Sequence, residues 1–244
     1  MNRQRCVYDH FAVIDNLLPE EQFQTISRYI ESLPFRPTNP GLDPIAKSEE
    51  PGFGANMFVY PSEPIVAKLT EENVSSFRAA SRKASTEIIM YPTGAPFDEV
   101  FIAIKQEAAK MSQLLGKEGA DWGAIVALAF AYGAGHSYRW HTDGSEFEDG
   151  RHYTGAFIYY AHTCWEADWG GQLLIEHDSA SVGDGAYVSS IPNRLVILRG
   201  EVRHGVARLS GRAGDAFRRS LAGFFVTMPF ASSLLTTFGN FNQE

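Results

Sequence analysis

The sequence contains little cysteine and no long uninterrupted apolar stretch. Its two cysteines, Cys6 and Cys164, are too few among 244 residues for a disulfide-stapled fold or a cysteine-rich zinc site. No apolar run approaches the roughly 18 residues that a membrane-spanning helix requires. Residues 1–8 are too polar to form the apolar core of a signal peptide. These absences lead us to expect a reduced, cytoplasmic protein without a membrane partner.

Positive charge is also scarce in this chain. The sequence has 21 Lys and Arg against 29 Asp and Glu, which gives a formal net charge of -8. Because nucleic acids attract basic proteins, we expect no nucleic-acid partner. The remaining composition, 44% hydrophobic and 20% charged, is ordinary for a globular protein and sufficient for a hydrophobic core. With no internal repeat, residues 1–244 are expected to form a single domain.

The start of the chain predicts one strand followed by one helix. Residues 11–14 are apolar and suit a short strand. Pro19 then suits the first turn of a helix, with Glu20 and Glu21 favourable at its positive end. Apolar residues recur at helical spacing on the face that should pack inward: Phe23, Ile26, Ile30 and Leu33.

A proline-rich segment follows that helix. Seven prolines between residues 34 and 65 exclude a long regular element there, so the segment is either a lid over a site or a surface loop. A second helix is predicted over residues 99–115. Asp98 would be its N-cap and Gly116 its C-terminal stop.

From about residue 124 onwards the sequence predicts short strands. Gly, Asp and Pro separate seven segments that are rich in apolar and aromatic residues, namely 124–132, 137–143, 153–161, 171–177, 194–199, 202–207 and 217–228. Many short strands with almost no helix between them favour a sandwich or barrel of the jelly-roll type. We therefore predict an α+β fold, with helices and loops mainly in 1–123 and a jelly-roll core in 124–230.

Three residues of the predicted core are candidate metal ligands. His141 and Asp143 stand two apart on a predicted strand, so their side chains should share a face. Such a pair alone is weak evidence in a chain with 29 acidic residues. His204 lies on a later predicted strand, where a lone histidine is more often structural. Together they form a set of two histidines and one carboxylate, which non-haem iron(II) oxygenases use.

The last predicted strand carries Arg218, Arg219 and Ser220. Arginine offers a two-pronged donor to a carboxylate, and a nearby hydroxyl adds one more hydrogen bond. Arg218 and Ser220 are two residues apart and share a face, whereas Arg219 points the other way. Arg212, between Gly211 and Gly214, is a rival in a predicted loop. A solvated basic pair is the alternative interpretation of Arg218 and Arg219.

In this order, these segments resemble the 2-oxoglutarate/iron(II) oxygenase superfamily and, within it, the prolyl-4-hydroxylase-like branch. The similarity covers most of the chain and is specific over residues 132–226. It rests on the tyrosine, glycine turn and His-x-Asp of 132–143, the Phe-Ile-Tyr-Tyr of 157–160, the Gly-Gly-x-Leu of 170–173, the distal histidine strand 199–206 and the Arg-x-Ser strand 218–225.

The resemblance implies a double-stranded β-helix, which is the jelly-roll core predicted above. It also implies that His141, Asp143 and His204 bind Fe(II). The expected reaction takes O2, releases succinate and CO2, and hydroxylates an unactivated C–H bond. Desaturation and cyclisation of the substrate stay open.

The resemblance further implies 2-oxoglutarate as the co-substrate. Its far carboxylate would bind Arg218, with Ser220, Tyr132 and Tyr160 in support. Ascorbate is a further candidate cofactor. The substrate could be an amino acid, a peptide-tethered residue or another small metabolite, and its binding residues stay unassigned, as does the oligomeric state. Three tryptophans either line a pocket or pack in the core: Trp140, Trp165 and Trp169.

Two other protein classes fit parts of the pattern. A metal-dependent oxygenase on a cupin-like barrel would not use 2-oxoglutarate and would leave Arg218 and Ser220 without a ligand. A non-catalytic binding module would have no need of a complete metal-ligand set. Succinate release and iron binding distinguish these alternatives.

Overall fold

The computed structural model describes residues 3–33, 35–37, 58–60, 65–66, 89–90, 97–111, 124–143, 145–146, 152–176 and 184–227. Its helices are α1 (Glu20–Glu31) and α2 (Phe97–Lys110), with short 3-10 turns at Ala167–Trp169 and Gly211–Ala213. The strands β1 to β15 are, in chain order, Gln4–Val7, Phe11–Asp15, Arg36–Pro37, Phe58–Tyr60, Ile65–Val66, Ile89–Met90, Ala124–Tyr132, Tyr138–His141, Ser145–Glu146, His152–Tyr160, Leu173–Glu176, Gly185–Val188, Leu195–Arg199, His204–Val206 and Arg218–Thr227.

Two antiparallel sheets form the body of the fold. The larger sheet has the strand order β1-β2-β13-β10-β15-β7-β4-β3, with β9 paired to β10. The smaller sheet has the order β12-β11-β14-β8, and β5 pairs with β6 separately. Strands that are neighbours in these sheets are distant in the chain, as where β10 lies between β13 and β15. This arrangement is the double-stranded β-helix, or jelly roll, and the predicted fold class is confirmed.

The central strands of the larger sheet bury both of their faces. One face packs with the two helices and contributes Phe157, Tyr159, Leu195, Ile197 and Leu221. The other face points to the smaller sheet and contributes Ala156, Ile158, Tyr160, Val196 and Leu198, which pack on Leu173 and Ile175. Because alternate residues of a strand point to opposite faces, a polar residue in the second set is enclosed between the sheets.

The first helix follows the predicted pattern. Phe23, Ile26 and Ile30 are buried on its inner face. Leu33 lies beyond Ser32, the C-cap, but still packs partly buried against the same core. No helix in the described ranges is long and apolar enough to cross a membrane.

The second helix differs from its predicted bounds. It begins at Phe97, so Asp98 is its second residue, and the prediction of Asp98 as the N-cap is wrong. Its predicted stop, Gly116, lies outside the described residues. So does most of the proline-rich segment 34–65, where the lid was considered. The described parts of that segment include β3 and β4, which extend the larger sheet beyond β7.

One buried carboxylate ties α2 to the first strand. Glu107 has no exposed side-chain surface and accepts hydrogen bonds from Arg3 at 2.7 Å, Arg5 at 2.9 Å and Lys110 at 2.8 Å. Burial alone would raise the pKa of Glu107. The hydrogen bonds from Lys110 and Arg5 and their positive charges outweigh burial, and the net pKa lies below its usual value. Glu107 therefore stays ionised at neutral pH.

A buried asparagine ties the turn before β13 to the connection between β2 and α1. Asn193 has a positive φ of 60° and is 4% exposed. Its side-chain oxygen accepts hydrogen bonds from the Leu18 amide at 3.0 Å and the Tyr159 hydroxyl at 3.1 Å, and its side-chain nitrogen donates to the Leu18 carbonyl at 2.8 Å. One side chain thus satisfies three polar groups from two other segments of the chain.

We predict that Asn193→Ala lowers the free energy of unfolding by about 2–4 kcal/mol, because it leaves those buried groups without partners. Asn193→Gly is the matched control, since glycine accepts the positive φ that costs alanine about 1 kcal/mol. Urea unfolding measures both variants. Full stability in the glycine variant would show that the hydrogen bonds contribute nothing.

Candidate metal centre

The two candidate histidine ligands face each other on neighbouring strands of the smaller sheet. His204 on β14 is the direct cross-strand partner of His141 on β8. Their ring centroids are 4.3 Å apart, and His204 is buried while His141 is half-buried. Strand pairing therefore brings together two side chains that are 63 positions apart in the chain.

A β-bulge sets the orientation of His141. The register places His204 opposite His141 and Val206 opposite Tyr138, so Arg139 and Trp140 together oppose Gly205. A Cβ atom on Gly205 would lie 3.1 Å from the Tyr138 carbonyl oxygen and 3.2 Å from the Arg139 carbonyl group. A larger residue at 205 would require the bulged strand to shift by a few tenths of an ångström, and the bulge lets both Tyr138 and His141 face the same side.

Asp143 reaches the centre by another route than the one predicted. The predicted strand 137–143 ends at His141, so strand alternation does not place the carboxylate. Instead the Asp143 amide donates a 3.0 Å hydrogen bond to the Gly200 carbonyl. Its carboxylate oxygens then lie 3.3 Å from His141 Nε2 and 3.2 Å from His204 Nε2. The ligand atoms of the three residues all lie within 4.8 Å of one another.

Hydrogen bonds orient both imidazole rings toward this point. His141 Nδ1 lies 2.9 Å from the Arg139 carbonyl oxygen, and His204 Nδ1 lies 2.9 Å from the Val202 carbonyl oxygen. A carbonyl oxygen can only accept, so each Nδ1 carries a proton, and in a neutral ring Nε2 is left with a free lone pair. Two lone pairs are therefore directed at one carboxylate.

The charge of Asp143 suits a cation at the same point. Burial alone would raise the pKa of Asp143, but hydrogen bonds and positive charge from His141 and His204, when their rings are protonated, outweigh burial and hold the pKa well below its usual range. A metal cation would take the place of those ring protons. An ionised carboxylate and two neutral imidazole nitrogens repel one another without a positive charge between them. This donor set fits a divalent transition metal with open coordination positions.

A second polar site lies between the sheets around Arg218. Its side chain is 1% exposed, with Nε donating to Ser190 Oγ at 2.9 Å and Nη2 to the Tyr160 hydroxyl at 3.3 Å. The guanidinium carbon lies 4.8 Å from the centroid of the Tyr160 ring and 5.2 Å from that of Tyr132. No carboxylate of the described residues forms an ion pair with it. A buried cation with only neutral partners is costly, and the site fits an anion.

The rival arginines lie elsewhere and have carboxylate partners. Arg219 points to the helix-packed face of the sheet, where it lies 3.3 Å from Glu31. Arg212 pairs with Asp168 at 2.8 Å on the exposed surface. Ser220 is buried on the same strand as Arg218, two residues further on, and is the cross-strand partner of Tyr160.

A tight glycine turn packs against the Arg218 side chain. A Cβ atom on Gly171, whose φ is +70°, would lie 3.0 Å from Arg218 Cδ. A Cβ atom on Gly170, whose φ is +79°, would lie 2.5 Å from the Arg208 carbonyl oxygen. Trp165 Nε1 donates to the Gly170 carbonyl at 3.0 Å and thereby holds the turn. The Gly-Gly pair is thus explained by close approach of backbone to the buried arginine.

None of the three candidate tryptophans is fully buried, although Trp165 packs against the buried cluster of Tyr132 and Leu209. Trp165 and Trp169 are half-buried and meet edge to face with centroids 5.1 Å apart. Trp140 is 40% exposed, and the Arg203 guanidinium lies 5.5 Å from its ring centroid. Trp169 directly precedes the glycine turn, and the Trp165 indole donates a hydrogen bond to it.

An aromatic cluster connects the metal ligands to the Arg218 site. Tyr138 meets His141 edge to face at 4.8 Å and packs against Tyr132 and Leu209. Tyr132 in turn lies beside the Arg218 guanidinium. A metal-bound molecule with a distant anionic group would therefore have a mostly apolar environment between its two polar ends.

Several residues that shape these sites were not found from the sequence. Ser190 contacts Arg218 across 28 positions, and Gly200 holds Asp143 across 57 positions. Ser190 lies outside the family-like segments, and Gly200 lies within the segment 199–206 but was assigned no role there. Gly205, next to His204, could have been found from the sequence, because a glycine inside a predicted strand indicates a β-bulge or a close backbone approach.

Residues 127–226 match the family model of the 2OG-Fe(II) oxygenase superfamily. That stretch contains every predicted metal and co-substrate residue, from Tyr132 to Ser220. No curated protein sequence matches the chain.

Several solved structures share the fold. A Pseudomonas putida prolyl-4-hydroxylase aligns with a TM-score of 0.51 and 20% identity over 88% of this chain and 91% of its own. A Trichoplax adhaerens prolyl hydroxylase, in complex with a peptide fragment of the hypoxia inducible factor oxygen degradation domain, aligns with a TM-score of 0.57 and 16% identity. That alignment covers 89% of this chain and 84% of the Trichoplax chain. A Burkholderia pseudomallei oxidoreductase of the 2OG-Fe(II) oxygenase family aligns with a TM-score of 0.52 and 10% identity, over 89% of this chain and 85% of its own.

We predict that alanine at His141, Asp143 or His204 lowers Fe(II) affinity by more than about 100-fold, because loss of a ligand exceeds the 10- to 100-fold cost of losing a supporting residue. Anaerobic Fe(II) titration measures the affinity, and circular dichroism checks the fold. His10→Ala is the control, because His10 lies outside the cluster. Unchanged affinity in the His204→Ala variant would remove His204 from the ligand set.

The bulge gives a separate prediction. Gly205→Ala should weaken Fe(II) binding by about tenfold, since its methyl group would press on the backbone that orients His141. Gly211→Ala is the matched control, because its Cβ would meet nothing within 4 Å. Equal Fe(II) affinities of the two variants would mean that the bulge does not orient the ligand.

Proposed function

We propose that residues 127–226, which match the family model of the 2OG-Fe(II) oxygenase superfamily, act as a 2-oxoglutarate-dependent oxygenase domain. His141, Asp143 and His204 bind Fe(II). Arg218 binds the far carboxylate of 2-oxoglutarate. The reaction consumes O2, releases succinate and CO2, and hydroxylates an unactivated C–H bond of the substrate.

The observation that carries this proposal is that one aromatic cluster connects a set of metal ligands to a buried guanidinium. The three ligand atoms suit a divalent cation, and the buried guanidinium has only neutral partners among the described residues. One dicarboxylate with a metal-chelating keto acid group completes both. Tyr132 and Tyr160 flank the guanidinium, and Ser220 shares its face. These three residues would support the same carboxylate.

The chain contributes binding, orientation and exclusion of water. Iron and 2-oxoglutarate, when bound, supply the oxygen activation and C–H cleavage. The Nδ1 hydrogen bonds to the Arg139 and Val202 carbonyls keep both histidine rings facing the metal position. Burial of Arg218 strengthens its attraction for a carboxylate, because little water competes.

The substrate class is proposed more broadly. An amino acid, a peptide-tethered residue or a small metabolite fits a domain of this superfamily, and ascorbate is proposed as a reductant that sustains turnover. The Trichoplax adhaerens enzyme is in complex with a peptide, which makes peptides one of the probe classes. A screen that reads succinate release and a product mass gain of one oxygen tests all three classes.

The alternative functions give Arg218 no ligand. An oxygenase on a cupin-like barrel without 2-oxoglutarate, or a binding module without turnover, would leave a fully buried cation unpaired among the described residues. That cost of several kcal/mol disfavours both. Succinate formation dependent on Fe(II) and 2-oxoglutarate would exclude them.

We predict that Arg218→Ala raises the 2-oxoglutarate concentration required for half-maximal succinate release by at least tenfold. Removal of one partner of a desolvated ion pair costs about 2–5 kcal/mol. Arg219→Ala and Arg212→Ala are the matched controls and should change this concentration by less than about threefold, since their guanidinium groups pair with Glu31 and Asp168.

The pattern among the three arginines decides the assignment. A large effect of Arg219→Ala together with a small effect of Arg218→Ala would place the co-substrate on the other face of the strand. Equal small effects in all three variants would mean that no arginine of this group binds 2-oxoglutarate.

A further inference from the structure

We propose that His162 is a positioning residue for the co-substrate site, and that it acts on Arg218 through Ser190. The proposal rests on the proposed function, because it assumes that Arg218 binds 2-oxoglutarate. His162 itself lies behind the arginine and is not assigned a contact with the ligand.

His162 bridges two segments that meet at the Arg218 site. It follows β10 directly and is 3% exposed. Its Nε2 lies 2.6 Å from the Ser190 carbonyl oxygen, and its Nδ1 lies 3.1 Å from the Arg219 carbonyl oxygen. One ring thus contacts the turn between β12 and β13 and the strand that carries Arg218.

The protonation of His162 follows from its surroundings. Burial and the positive charges of Arg218 and Arg219 lower the pKa of His162 to about 4, although its hydrogen bonds to the two carbonyls act in the opposite direction. The ring is therefore neutral at pH 7 and has one N–H group. A neutral ring can donate to only one of the two carbonyls; the shorter contact assigns its hydrogen to Nε2, which donates to the Ser190 carbonyl, and Nδ1 then lies beside the Arg219 carbonyl without a hydrogen bond.

Ser190 passes this constraint to the arginine. Its hydroxyl donates to the Gly171 carbonyl at 2.8 Å and accepts from Arg218 Nε at 2.9 Å. Because the hydroxyl has one hydrogen and Gly171 takes it, a lone pair of Ser190 Oγ is left for Arg218. Ser190 is therefore fixed at two points: His162 hydrogen-bonds its carbonyl, and its hydroxyl donates to Gly171.

This geometry matters for a two-pronged donor. Arg218 binds a carboxylate best when its plane is fixed, since two parallel hydrogen bonds require one orientation. Ser190 accepts from Nε and Tyr160 from Nη2, and the remaining guanidinium hydrogens have no acceptor among the described residues and can bind a ligand. Loss of the His162 hydrogen bond frees the Ser190 backbone to move, which broadens the orientations that Arg218 adopts before it binds.

The test measures 2-oxoglutarate affinity by anaerobic calorimetry on the Fe(II)-loaded protein. His162→Phe keeps a ring of similar size but has no donor, and should raise the dissociation constant about tenfold. Fe(II) affinity should change by less than about twofold, which a general loss of structure would not allow. His162→Gln, whose amide can reach the Ser190 carbonyl, should restore most of the affinity.

A double variant tests the route through Ser190. Ser190→Ala alone should weaken 2-oxoglutarate binding at least as much as His162→Phe. Addition of His162→Phe to it should then have little further effect, because the two residues act in series. Multiplicative losses in the double variant, or equal losses in the Phe and Gln variants, would overturn the proposal. His162→Leu replaces the Phe variant if the latter does not fold.

Failure of the proposed function gives a different result. If Arg218→Ala leaves 2-oxoglutarate affinity unchanged, the arginine does not bind the co-substrate and the proposed function is wrong. If Arg218→Ala weakens binding while His162→Phe does not, the proposed function stands and only the role of His162 is wrong.

Discussion

The Arg218 guanidinium is enclosed between the two sheets without a carboxylate partner in the described part of the chain. Burial of an unpaired charge is costly, and the surrounding residues limit that cost with neutral groups. Ser190 and Tyr160 accept its hydrogen bonds, two tyrosine rings flank it, and the Gly171 backbone packs on its stem. The arrangement leaves the cation in need of an anion, and a dicarboxylate co-substrate supplies one.

The metal centre likewise encloses a charge that suits a ligand of opposite sign, but here the enclosed charge is negative. Asp143 stays ionised and partly buried beside two imidazole nitrogens whose hydrogens point away from it. The two sites thus suit ligands of opposite charge: a metal cation at Asp143 and a carboxylate at Arg218. The regular strands pack the core, whereas backbone irregularities shape the sites, namely the bulge opposite Gly205 and the glycine turn at Gly170 and Gly171. Irregular backbone persists where it orients a functional side chain.

Sequence patterns that repeat every two to four residues correctly predicted which face of a strand or helix each side chain occupies. The two-residue alternation of the last strand, Arg218 to Thr227, separates Arg218 from Arg219 in the structure, and the helical spacing of Phe23, Ile26 and Ile30 matches the buried face of α1. The bounds of α2 and of the strand before Asp143 were predicted less well. A bulge and an end of an element depend on contacts with other strands, which local spacing does not contain.

The sequence by itself determined the jelly-roll class, the superfamily resemblance and the residue types of the metal and arginine sites, because each depends on local alternation or on motif order. The tertiary structure alone decided how these residues meet. Asp143 is positioned by the Gly200 carbonyl, His141 by a bulge against Gly205, and Arg218 by Ser190, whose carbonyl is held by His162. Each of these contacts joins segments that are distant in the chain, and their partners are backbone groups or a single hydroxyl, which every sequence offers in many places.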